Sequence, residues 1–277
     1  MKKIKIKSIL EKIFKKKVNI NNYEIKNFSS IENPKSNSVS FCEDLSKFNK
    51  KKIKNCLIFS KISKKLTNNV IFMKVADPRY SFFKFYKSYE KLKKKKLNSF
   101  YIHKNVYIGD NVKFLDKKKI YVGKNVILKN CTIGKNCIIQ DNSVIGNDGY
   151  GYFKHKNKKY KQAHFGKVII EDNVDIGPLT NIERGHFDNT ILRTNSKIDA
   201  LVQIGHNCVI GKNSNICAGS ILSGNVKIGD DVWVGPKSSF KEKITIGNNT
   251  IVGIGSNVLK NIDKNLVIYG NPAEKKC

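Results

Sequence analysis

Long apolar runs are missing from this chain, and so are paired cysteines and all but a few histidines, prolines and tryptophans. No stretch approaches the ~18 apolar residues that a membrane-spanning helix needs. The basic N-terminus lacks the apolar segment of a secretory leader, so a soluble, cytoplasmic protein is expected. Seven cysteines, an odd number without a CxxC pair, argue against a disulfide framework or a structural zinc site. Cys137, Cys208 and Cys217 fall within a repeat and read as small buried side chains. A hydrolytic zinc centre on a repeat fold would need three converging histidines. The chain has five in all, with His206 in regular sequence and His164 and His186 in loops, so no metal is expected.

Acidic residues are also scarce: 22 Asp and Glu face 53 Lys and Arg, for a formal charge of +31. Such an excess usually points to nucleic acid or an anionic membrane surface. Here the lysines are scattered among many Asn and Ile, as an adenine/thymine-rich genome would produce, and no RNP-like or zinc-finger pattern appears. Nucleic acid is therefore not an expected partner. Runs such as Lys15 to Lys17, Lys50 to Lys52 and Lys93 to Lys96 still create a positive field.

What the chain does contain is a period of six. A bulky apolar residue recurs at Leu192, Ile198, Ile204, Ile210, Ile216, Leu222, Ile228, Val234, Phe240, Ile246, Val252 and Val258. Four residues after most of these the side chain is small or β-branched, and Gly often follows directly, as at 205, 211, 229, 235, 247 and 253. Six fits neither a helix nor a plain strand. It predicts a parallel β-helix, three hexapeptides to a coil, with inward aliphatics stacked in columns and Gly or Asn at tight or positive-φ corners.

The pattern begins at Ile102 and Ile108, shifts between Phe114 and Val122, and resumes at Ile127, Ile133, Ile139 and Ile145. It breaks at 146–164 and again at 183–189, which predicts loops leaving a rigid scaffold, where binding groups usually sit. Ahead of it, Ile6, Ile9, Leu10, Ile13 and Phe14 have helical spacing and predict a packing helix. Val39–Phe41, Cys56–Phe59 and Val70–Met73 read as strands of a small α/β domain closed by a helix over 81–92. The expected boundaries are 1–98 for that domain, 99–260 for a left-handed β-helix and 261–277 for a short tail.

His206 stands beside a Gly corner and should project outward near an edge of the prism. A neutral imidazole there can act as general base near pH 7. Asp199, one corner back, is placed to fix its tautomer. Gly224, three hexapeptides on and so one coil above, offers a bare backbone N–H to an oxyanion.

The runs Asp148-Gly-Tyr-Gly151, Thr180-Asn-Ile-Glu-Arg-Gly185, Ile198-Asp199 and Gln203-Ile-Gly-His-Asn207 resemble the UDP-3-O-acylglucosamine N-acyltransferases of lipid A synthesis, called LpxD. Ser40-Phe41, Leu57-Ile-Phe59 and Val75-Ala-Asp-Pro-Arg-Tyr80 are similar to that family's uridine-binding domain. The resemblance implies a homotrimer with sites between subunits. It implies that His206 takes a proton from the sugar's amino group, with Asp199 as acidic partner and Gly224 as oxyanion donor. Phe41 and Phe48 are the implied uracil contacts, and Asp148, Gly149 and Tyr150 the implied acceptor loop. The implied donor is a 3-hydroxyacyl thioester on acyl carrier protein, delivered by phosphopantetheine beside Lys243, with no bound cofactor. A lipid-bearing acceptor also allows peripheral contact with the inner membrane. The ending Gly270-Asn-Pro-Ala273 resembles acetyl-CoA-dependent sugar acetyltransferases, the alternative reading.

Overall fold

The computed structural model describes residues 5–15, 17–20, 22–48, 54–66, 69–93, 101–116 and 119–275. The lysine run at 50–52 and most of that at 93–96 lie outside them. The chain divides into two compact units, 1–97 and 98–277. Among the described residues no helix is long and apolar enough to cross a membrane.

In the first unit α1 (Ile6–Phe14) and α2 (Pro78–Lys93) accompany strands β1 (Asn27–Phe28), β2 (Ser38–Phe41), β3 (Cys56–Ser60), β4 (Lys64–Leu66) and β5 (Val70–Lys74). The sheet order is β1-β2-β3-β5-β4, parallel except for β4. β3 is buried throughout because both its faces are covered. Leu57 and Phe59 pack with Ile6, Ile9, Leu10 and Phe85, whereas Cys56 and Ile58 join Ile31, Cys42 and Phe72 on the other side. The helical spacing read at the N-terminus therefore marks a packing face.

The second unit is a left-handed parallel β-helix whose faces, among the described residues, are sheets of eight, seven and ten strands. All twelve apolar positions of the regular tract are buried, and so are the small or branched residues from Ser196 to Thr250 that alternate with them. Pairing advances by eighteen residues per coil, as from Gln203 to Ile221 to Ser239. Each inward aliphatic thus meets its equivalents above and below, a burial worth roughly 1.5–3 kcal/mol per side chain.

At the corners glycine and asparagine divide the two tasks. The glycines at 205, 211, 229, 235, 247 and 253 serve close approach alone: a Cβ on Gly211 would lie 2.0 Å from the carbonyl oxygen of Gly229. The positive φ falls instead to neighbours such as Asn195, Asn207, Asn213 and Asn225. Their amides stack in ladders, Asn195 Nδ2 donating to Asn213 Oδ1 at 2.9 Å and Asn213 Nδ2 to Asp231 Oδ1 at 3.0 Å. In the irregular early coils the inward residue is Leu128, not Ile127, because the pairing there steps from Ile108 to Leu128 to Ile145. Cys137 and Cys208 are buried as expected, while Cys217 is half-exposed. Residues Val267–Gly270 and Ala273–Lys275 extend one face, with Ile262, Ile268 and Ala273 buried.

Candidate active site

The first interruption is an excursion from the solenoid. Val144 pairs with Asn181, so the coil between them carries an insertion. Within it Tyr152–His155 and Lys158–Lys161 form an antiparallel ribbon. The second interruption, at 183–189, lengthens the next coil, where Asn181 pairs with Gln203. Both insertions return beside His206.

Asn207 fixes the state of the His206 imidazole. Its Nδ2 donates to the Asp188 carbonyl at 3.2 Å, and its Oδ1 accepts the His186 backbone N–H at 2.9 Å. That orientation turns Oδ1, which can only accept, toward His206 Nδ1 at 2.9 Å. Nδ1 must therefore carry the proton, leaving a lone pair on Nε2. Nε2 faces Gly224 so closely that a Cβ there would stand 2.6 Å from it.

The backbone N–H of Gly224 is open to a ligand. At the equivalent corner positions the N–H groups of Lys124, Lys135, Lys212 and Asp230 each donate to an Asp or Asn side chain on the adjoining coil, at 2.7 to 2.9 Å. Among the described residues the Gly224 N–H has no such acceptor. A free donor and an imidazole lone pair thus line one cavity of about 670 Å³, with Tyr150, Tyr152, Glu183, Gln203 and Lys243. A second cavity of about 400 Å³ shares His206 and Lys243 and adds His164, His186 and Phe187.

Glu183 supports this corner from below. It accepts the His206 backbone N–H at 3.1 Å and the Gln203 amide at 3.0 Å. Burial raises its pKa, an effect the His206 N–H and charge only partly offset. His164 is almost fully buried, its ring edge-on to those of His206 and His186 at 5.7 and 5.5 Å. Its Nδ1 bonds the Gln162 carbonyl at 3.1 Å, so Nδ1 is the protonated nitrogen. Burial foremost depresses the His164 pKa.

Of the expected site residues, the structure brings His206, Gly224, Gly149, Tyr150 and Lys243 together. Gly149 is required by packing, since a Cβ would come within 2.9 Å of Glu183, His164 and His206 alike. Lys243 holds a left-handed corner, φ 61, that lysine adopts only at a cost. Asp148 lies to one side, bonded to Arg184 Nε at 2.7 Å and near Lys161 at 3.4 Å. Partial burial opposes its ionisation, but Arg184 and then Lys161 hold its pKa below the ordinary value. Asp199 is not brought to His206 within the chain. Its carboxylate accepts the backbone N–H groups of Ala200 at 2.8 Å and Ala218 at 3.2 Å, one corner away. The partner of the imidazole is Asn207 instead.

In the first unit Phe41 lines a cleft of about 560 Å³ with Phe28, Ser40, Arg79 and Phe82. Phe48 does not reach it, standing edge-on to Phe72 at 5.2 Å in a different cluster. Phe41 is accompanied by the Phe82 ring at 5.3 Å and by the Arg79 guanidinium, 5.8 Å from its centroid.

Residues 189–224 and 225–260 each match the family model described as bacterial transferase hexapeptide (six repeats). Over 129 residues the chain is 42% identical to the UDP-3-O-acylglucosamine N-acyltransferase of Campylobacter lari, a match covering 46% of this chain and 40% of that protein. Over this stretch the chain is similar to the UDP-3-O-acylglucosamine N-acyltransferases. UDP-3-O-acylglucosamine N-acyltransferase 1 of Sulfurimonas denitrificans is 39% identical over 130 residues, 46% of this chain and 41% of its own. The match thus spans about two fifths of the length of these relatives. Among solved structures, LpxA of Bacteroides fragilis, a UDP-N-acetylglucosamine acyltransferase, superposes with TM-score 0.53 at 17% identity over 64% of this chain and 74% of that one, a likeness of fold.

Proposed function

We propose that the chain is an N-acyltransferase of lipid A synthesis that moves a 3-hydroxyacyl group from acyl carrier protein to the amino group of a UDP-3-O-acylglucosamine. The observation that carries this reading is the pairing of a lone pair on His206 Nε2 with an unused backbone N–H at Gly224 across one cavity. His206 Nε2 takes a proton from the amine as its nitrogen attacks the thioester carbonyl carbon. The carbonyl electron pair moves to oxygen, where the Gly224 N–H receives it. Collapse breaks the carbon–sulfur bond, and the imidazolium returns its proton to the departing thiolate, so the base ends as it began. Asn207 keeps Nδ1 protonated throughout, the orienting role of the third group in a triad.

The remaining assignments follow the same reading. Lys243 offers a point charge to the phosphate of the donor's phosphopantetheine, Tyr150 and the Asp148–Arg184 pair border the acceptor, and the Phe41 cleft takes the uracil. The enzyme works as a homotrimer without a bound cofactor. The test offers purified protein both a 3-hydroxyacyl carrier protein and acetyl-CoA, with a UDP-3-amino sugar acceptor, and weighs the product. A product heavier by a hydroxyacyl chain is expected, and His206→Ala should slow its formation by ~10²–10⁴-fold. An acetylated product alone would replace the donor with coenzyme A, and an undiminished rate in His206→Ala would remove the mechanism.

A further inference from the structure

The ribbon Tyr152–Lys161 is an unusual element to leave in water. Every residue of both its strands is exposed, and a two-stranded ribbon has little stability of its own. Phe153 and Tyr160 stack across it at 5.6 Å, 54% and 43% exposed. Lys154 stands directly opposite Lys159. Like charges facing each other across a strand pair are destabilising, and the sequence supplies no acid between Asp148 and Glu171 to relieve them. Among the described residues Lys154, Lys156, Lys158 and Lys159 have no acidic partner. The turn adds to the cost, since Lys156 and Asn157 both take positive φ, 45 and 64, where Asn-Gly is the usual choice. At the ribbon's foot Phe165 and Phe187 form a second exposed stacked pair at 5.8 Å.

Unrelieved lysines call for an anionic counterpart, and exposed rings among them call for one with an apolar interior within reach. An anionic bilayer meets both demands: its headgroups carry the charge and its interface accepts aromatic side chains. We propose that the ribbon Tyr152–Lys161 is a docking element for an anionic lipid surface. Because its stem residues Tyr152 and Gln162 line the cavity of His206, docking there holds that cavity close to the bilayer. Such docking needs only the ribbon's own chemistry and stands apart from the transfer reaction.

The experiment uses the full chain and vesicles of phosphatidylcholine with or without phosphatidylglycerol. Sedimentation with the phosphatidylglycerol vesicles is expected, weakening as salt rises. Lys154→Glu/Lys158→Glu/Lys159→Glu should reduce binding by more than ~10-fold. An equal reversal elsewhere on the solenoid, Lys227→Glu/Lys237→Glu/Lys264→Glu, should reduce it far less. Circular dichroism checks that both variants keep the β-helix. With Trp233→Phe removing the single native tryptophan, Phe153→Trp should report a blue-shifted emission on anionic vesicles. The proposal fails if the parent ignores these vesicles, if both triple variants lose binding equally, or if the emission of the Phe153→Trp variant is unmoved. It also fails if the ribbon variant loses only the capture of an acidic protein, which would make the occupant a protein surface.

Discussion

At the scale of single residues the site turns on one amide. Asn207 is held from two sides, so its oxygen has no choice but to face the imidazole. Asn207→Ala should cut kcat by ~10²-fold or more, while Asn207→Asp, which keeps the acceptor for Nδ1 but loses the donor to the Asp188 carbonyl, recovers only part of it, as steady-state rates would record. Gly224 offers a second check. A methyl group there would sit 2.6 Å from Nε2 and push the ring off its position. A misplacement of that order costs ~10²-fold, so Gly224→Ala should lose kcat while circular dichroism shows the solenoid intact. His164 makes a claim on stability instead. Its folded pKa is depressed, chiefly by burial, so the folded state binds fewer protons than the unfolded one as pH falls. The stability concerned is present above the ordinary histidine value, near 6.5, and drains away as pH drops through the lower folded value. Melting temperature plotted against pH should decline over that window in the parent and flatten in His164→Gln.

At the scale of elements, what could be read from the sequence depends on whether the coil length is constant. Through the regular tract the step is eighteen, so counting places Gly224 over His206 and buries all twelve apolar positions. Where insertions change the step, counting fails. Glu183 sits under the His206 corner only because the intervening coil is longer than the regular eighteen residues. Ile127 was expected inward for the same reason, and Leu128 takes that place. Asn207 was in plain view beside the histidine, but its role rests on the Asp188 carbonyl and the His186 N–H, supplied by a loop whose path no periodicity encodes. A carboxylate near a histidine in sequence suggests a triad, yet within the chain the Asp199 carboxylate caps the Ala200 and Ala218 N–H groups. Phe48 illustrates the matching ambiguity in the first unit, where an aromatic serves packing or a ligand with equal ease.

Across the whole molecule stability is summed from neighbouring coils. Phe240 is the largest of the buried side chains in the β-helix core. Phe240→Ala should lower unfolding free energy by about 3–5 kcal/mol through lost burial and the cavity left behind, read from denaturant midpoints. Ile221→Ala, on a residue 48% exposed, should change it by about 1 kcal/mol or less. The excess of positive charge belongs to this scale too: scattered over the coils it reads as composition, whereas on the ribbon it is concentrated beside aromatic rings.

The pairing that links each coil only to the next has one more consequence. The reactive corner is assembled from four adjacent storeys, those of Glu183, His206, Gly224 and Lys243. No residue from Ile251 onward lines either cavity, and those storeys act as interchangeable masonry. The tower can therefore gain or shed a level near its top over evolutionary time, changing its height and the reach of whatever follows without retuning the chemistry below.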